Sequence, residues 1–211
     1  MLTFAEDFES TLDDAVWHNY WATSGATGEL YRPNHVTVSD GVLTIAAFPE
    51  YGRYVTGGLA MRQGQTYGKW EVRARVQDGA GISVNALLWP DDGSWPPEVN
   101  FLENAQSPRV LNTATVHYGV DDRMLHETVA ADLNEWHTWG VEWSPDALRY
   151  TMDGSVWATV EDAAVVPQTS MHLALQLDAW RSSSGWHDTI DATTPERVEY
   201  EVDWVRVYIA A

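Results

Sequence analysis

The chain has 211 residues, 45% of them hydrophobic, which is enough for one large domain with a core of its own. A formal net charge of −19 excludes nucleic acid and an anionic membrane surface as partners, disfavours a strongly acidic polymer, and leaves a neutral or weakly charged ligand. The absence of Cys excludes disulfides, a thiolate nucleophile and Cys-ligated zinc.

The opening MLTFAEDFES has neither the basic start nor the apolar run of a leader. No segment approaches the ~18 apolar residues of a membrane span. The residues do not separate a cytoplasmic protein from a secreted one whose leader has been removed; the second is expected. From there the dominant period is two. VTVSDGVLTIAAF (36–48) reads as two strands around Asp40-Gly41, a hairpin turn. KWEVRARVQDG (69–79) alternates, with Trp70, Val72, Ala74 and Val76 on one face and Glu71, Arg73 and Arg75 on the other. GSWPPE (93–98) reads as a loop, and EVNFLE (98–103) as a strand with polar residues in it. TATVHYG (113–119), HLALQLDAW (172–180) and RVEYEVDWVRVYI (197–209) are further strands, and LRYTMDGSVWATV (148–160) is a second hairpin turning at Asp153-Gly154. Amphipathic helices are missing; DLNEW (132–136) makes at most a short turn. WRSSSGWHDTIDATTPE (180–196) is a polar loop carrying two Trp, placed to border a cleft. Evenly spaced strands without helices predict an all-β fold: a single domain over 1–211, a β-sandwich jelly roll of two curved antiparallel sheets with a concave cleft for a chain-like ligand.

Twelve Trp and nine Tyr are unusual. Most of the Trp, Trp136 and Trp143 among them, are expected in the core. Aromatic faces also stack on sugar rings, so a Trp-rich acidic chain points toward carbohydrate.

In EVNFLE, Glu98 and Asn100 share a strand face. Glu103 lies five residues on, so a regular strand turns it away. One extra residue at about 101–102, a β-bulge, returns it to the face of Glu98 and leaves Phe101-Leu102 against the core. Two carboxylates on one face can cleave a glycosidic bond, one attacking the anomeric carbon and the other protonating the leaving oxygen; retention requires a separation of about 5–5.5 Å.

This stretch resembles the Glu-x-Asp-x-x-Glu motif of glycoside hydrolase family 16, the laminarinase and lichenase family. AEDFES is similar to its opening strand, SDGVLTI to its early hairpin, and YGKWEVRARV to a recurring strand. ALLWPDDGSWPPE, WHTWGVEWSPDALRYTMDG and EVDWVRVY complete a resemblance over nearly the whole chain, in order and spacing. It implies an endo-acting retaining hydrolase of β-linked polysaccharide, most simply a β-1,3- or mixed-linkage glucan, acting as a monomer without a catalytic cofactor. Glu98 would be the nucleophile and Glu103 the general acid/base. Asn100 stands where the family has Asp; it is expected to donate a hydrogen bond to Glu98 and to remove one negative charge from the site. Two rivals are a hydrolytically lapsed binding protein of the same fold and a jelly-roll polysaccharide lyase. The lyase is disfavoured because no Gln-x-His strand appears. The resemblance further implies substrate contacts from Trp95, His117, Gln176, Trp180, Asn34 and Arg62, with a weaker case for Trp186. It also implies a structural calcium held by Asp7, Gly41 and Asp203.

Overall fold

The computed structural model describes residues 1–182 and 185–209. Among them the only helical turn is a 3-10 turn at Pro33–His35. Two antiparallel sheets make up the molecule. The larger has nine strands, running Ser155–Val160, Leu148–Met152, His137–Trp143, Gly68–Val76, Val198–Tyr208, Val42–Glu50 and Val36–Ser39, with Leu2–Glu6 beside Val198–Tyr208 and Arg53–Val55 beside Val42–Glu50. The smaller has seven, in the order Arg123–Ala130, Leu111–Tyr118, Glu98–Asn104, Ile82–Pro90, Met171–Ala179, Gly58–Met61 and Trp17–Asn19. A two-stranded ribbon pairs Ala22–Thr23 with Leu30–Tyr31.

Local chemistry accounts for the strands. Gly68–Val76 alternates between buried and half-buried residues along its whole length, as its period of two requires. Both DG turns close two-residue loops with positive φ at each position: 54° and 77° at Asp40 and Gly41, 50° and 79° at Asp153 and Gly154. This geometry matches strand twist and favours Gly, which has no Cβ to clash. DLNEW makes only a turn, Glu135 N–H bonding to Asp132 C=O at 3.1 Å.

The inner faces of the two sheets build one core. Trp70, Trp139, Tyr150 and Tyr200 of the nine-stranded sheet meet Leu88, Phe101, Val116 and Leu173 of the seven-stranded one. The tryptophans divide differently from expectation. Trp17, Trp70, Trp139 and Trp143 are fully buried, whereas Trp89, Trp95, Trp180 and Trp186 line a cleft. Trp136, expected in the core, lies on the outer face of the larger sheet, where the Arg73 and Arg75 guanidiniums sit 5.1 and 4.8 Å from its ring centre. Two cations above an aromatic face compensate for leaving it outside.

Candidate active site

The outer face of the seven-stranded sheet carries a cleft of about 630 Å³. Its floor follows from alternation. Asn85, Leu87 and Trp89 face it from Ile82–Pro90, and His172, Ala174, Gln176 and Asp178 from Met171–Ala179. Leu87 and Ala174 form a small apolar patch with Ala60, flanked by Tyr20 and Trp89.

Within the seven-stranded sheet, regular alternation breaks on Glu98–Asn104. Asn100 pairs with Thr115 and Glu103 with Thr113, so three steps on this strand meet two on its neighbour. On the other side Asn100 opposes Leu87 and Leu102 opposes Ala86, again one residue extra. Phe101 and Leu102 are both buried in the core, and both Glu98 and Glu103 line the cleft. The bulge lies where EVNFLE placed it. Its displaced backbone is satisfied by a residue the sequence reading passed over. The side chain of Asn112, fully buried, accepts from Glu103 N–H at 2.8 Å and donates to Phe101 C=O at 3.0 Å. A strand Asn with no exposure is the signal that could have found it, because a buried amide needs partners.

The two acids have different surroundings. Burial pushes the Glu103 carboxyl up to about 7, and repulsion from Glu98 adds to the rise, while the Thr115 hydroxyl, which donates to it, and His117 oppose it. Glu98 accepts a hydrogen bond from Trp95 Nε1 at 2.9 Å. His117 stands directly opposite Glu98, its ring 5.7 Å from that of Trp95 and its Nδ1 2.8 Å from Asp122 Oδ1. Asn100 departs from expectation. It is 1% exposed, its Oδ1 has no donor, and it forms no hydrogen bond to Glu98. Its cross-strand neighbours are Leu87 and Thr115, and the donor role expected of it falls to Trp95.

At one side of the cleft Asp178 gathers four donors: Ser24 Oγ at 2.8 Å, Gln176 Nε2 at 3.0 Å, Asn85 Nδ2 at 3.3 Å and the Tyr31 hydroxyl. Burial raises its pKa even so. This carboxylate ties the segment 20–31, which supplies Tyr20, Ser24 and Tyr31 to the cleft, to the sheet beneath. It was missed although it lies between Gln176 and Trp180 on the same alternating face. Trp180 donates to Ser83 Oγ at 2.8 Å and stacks on His187 at 4.0 Å, with Trp186 edge-on at 5.6 Å.

Thus Glu98, Glu103, Trp95, His117, Gln176 and Trp180 come together in the cleft. Asn34 and Arg62 do not. Asn34 sits in the 3-10 turn and donates to Glu50 Oε1 at 3.0 Å, and Arg62 donates to Asp14 C=O just beyond the strand Gly58–Met61. Each satisfies a local acceptor on the rim of the fold instead of a sugar. The expected calcium residues meet only through their backbone. The Asp7 carbonyl lies 4.0 Å from a Cβ placed on Gly41, and Asp203 occupies a bulge between Val202, opposite Leu43, and Val205, opposite Glu6. Their carboxylates are already neutralised, Asp203 by Arg73 and Asp7 by Arg206. Calcium takes about six to eight oxygens. As they stand both carboxylates face guanidiniums, and no group of three or more His, Asp or Glu side chains is gathered among the described residues, so a calcium here would draw on the Asp7 and Gly41 backbone carbonyls and would have to displace Arg73 from Asp203.

The chain is similar to the endo-1,3-1,4-beta-glycanase ExsH of Rhizobium meliloti (strain 1021), 27% identical over 243 residues, which cover 98% of this chain and 51% of that protein. It is also similar to a beta-glucanase of Acetivibrio thermocellus, 25% identical over 207 residues, covering 94% of this chain and 60% of that protein. It therefore spans about half to three-fifths of the length of these relatives. The fold is shared with the catalytic domain of an endo-1,3-beta-glucanase (laminarinase) from Thermotoga petrophila RKU-1, at a TM-score of 0.86 and 20% identity over 99% of this chain and 97% of that one. The model of glycosyl hydrolases family 16 matches residues 24–206, most of the sandwich and the whole of the cleft strand, and the chain belongs to that family.

Proposed function

We propose that the chain is an endo-acting, retaining hydrolase of a β-linked glucan with β-1,3- or mixed linkages. The observation that carries this reading is the pairing of Glu103, protonated up to about pH 7, with Glu98 on one face of a bulged strand. Glu98 attacks the anomeric carbon while Glu103 gives its proton to the leaving oxygen. In the second step Glu103, now ionised, takes a proton from water, which displaces Glu98 and returns the sugar with its original configuration. Exposed Trp95 and Trp186 at the cleft offer ring faces to the sugars, and no Lys or Arg is among the described residues lining it, in keeping with an uncharged polymer. A polymeric substrate places the encounter outside the cell, and the chain acts as a monomer.

Reducing-end release from laminarin, lichenan, xyloglucan and agar tests the reading, with Glu98→Gln as control. Product from a β-glucan, absent in the variant and appearing first as the β-anomer by NMR, is expected. A second reading, a binding protein without turnover, is favoured by one observation, the buried Asn100 that makes no hydrogen bond to Glu98. Binding of laminarin or lichenan without hydrolysis would establish that reading instead.

A further inference from the structure

The indole edge of Trp95 is turned toward the carboxylate that the proposed chemistry needs ionised. Its Nε1 stands 2.9 Å from Glu98 Oε2 and is the one hydrogen-bond donor on that carboxylate among the described residues. The nearest alternative, Asn100, is on the same strand face but makes no bond to it. Trp95 is itself braced. His117, across the strand from Glu98, packs against its ring with planes at 45°, and His117 Nδ1 is tied to Asp122 at 2.8 Å. Pro96 and Pro97, with their fixed φ, are the two residues that link Trp95 to Glu98 along the chain.

We propose that Trp95 is the positioning residue of Glu98, its N–H holding one carboxylate oxygen so that the other faces the anomeric carbon. This rests on the reading of Glu98 as nucleophile. The role differs from sugar stacking, because stacking uses the ring face and positioning uses the N–H. A hydrogen bond to an ionised acceptor favours the ionised form and fixes its direction. The charged groups around this contact are Glu103 from the same strand, and His117 with Asp122 from the neighbouring strand and its turn.

Trp95→Phe keeps a ring face and removes the N–H. Replacing Trp95 with benzothienylalanine keeps the whole bicyclic shape and removes only the donor. For both, kcat is expected to fall about 10- to 100-fold while KM moves less than about threefold. A rise in KM alone, with kcat unchanged, would make Trp95 a stacking residue and overturn the proposal. A readout independent of turnover is the indole N–H resonance that disappears in Trp95→Phe. It should move upfield in Glu98→Gln, where a neutral acceptor replaces a charged one. A resonance indifferent to that replacement would overturn the proposal even if hydrolysis is confirmed. Conversely, failure of every glycan to turn over would defeat the hydrolase reading while leaving the Trp95–Glu98 contact to be decided by the resonance.

Discussion

Glu103 carries its proton at pH values where a surface carboxylate has lost it, and both its chemistry and its cost follow from that. Its carboxyl titrates at about 7 because it is buried beside Glu98. The rate of the proposed hydrolase should therefore fall as pH rises through about 7, where the acid loses the proton it must donate. Asn100→Asp adds a buried negative charge beside both acids and should move that basic limb to higher pH; a pH–rate profile of the variant checks this. The same group also affects stability. Between the ordinary value of 4.5 and about 7 the folded chain holds a proton that the unfolded chain has released, so wild-type stability falls as pH rises through this window. Glu103→Gln removes the penalty and should gain up to about 3 kcal/mol above pH 7 and nothing near pH 4, as read from urea midpoints at the two pH values. Glu98 and Glu103 were legible in the sequence as a pair of acids in a recurring pattern. Asn34, Arg62 and Trp136 were misplaced because a side chain's partner is set by tertiary neighbours: Glu50, the Asp14 carbonyl, and the guanidiniums of Arg73 and Arg75.

A single extra residue on the strand Glu98–Asn104 determines which face Glu103 occupies, and the buried amide of Asn112 keeps that residue in place. Asn112→Ala leaves Glu103 N–H and Phe101 C=O without partners in the core, so it should cost about 2–4 kcal/mol. It should lower kcat more than it raises KM, because the acid is displaced while the cleft walls stay; thermal melts and steady-state kinetics on one preparation separate the two effects. Asp178→Ala strands four donors and should loosen the segment 20–31. Faster proteolysis near Gly25–Gly28, with a raised KM, is the outcome to look for. The DG hairpins, the alternation of Gly68–Val76 and the bulge were all readable, because turn chemistry and pleat are local. The strand Arg123–Ala130 was not. All but one of its residues are exposed, so it pairs at the edge of its sheet without the alternation that burial on one face imposes. Asp178 was missed because an acid at the end of an apolar strand reads as a boundary, and only the folded sheet brings Ser24 and Tyr31 to it.

Across the molecule, a net charge of −19 on one sandwich means that the folded surface repels itself. Raising salt from ~10 mM to ~150 mM shortens the screening length from about 30 to 8 Å and should raise Tm at neutral pH. Relief of about 1 kcal/mol corresponds to roughly 2–4 °C for a chain of this size, within reach of a calorimetric series in NaCl. The two-sheet architecture was legible because enough of the long strands announce themselves by period; the short strands and the order of strands were not, because pairing partners lie far apart in the chain. Val198–Tyr208, the strand farthest along the chain, stands inside its sheet, with Gly68–Val76 on one side and Val42–Glu50 and Leu2–Glu6 on the other. During synthesis, therefore, these three earlier strands each keep a bare edge until Val198–Tyr208 follows them out of the ribosome, and the nascent chain is open to wrong pairing throughout that delay.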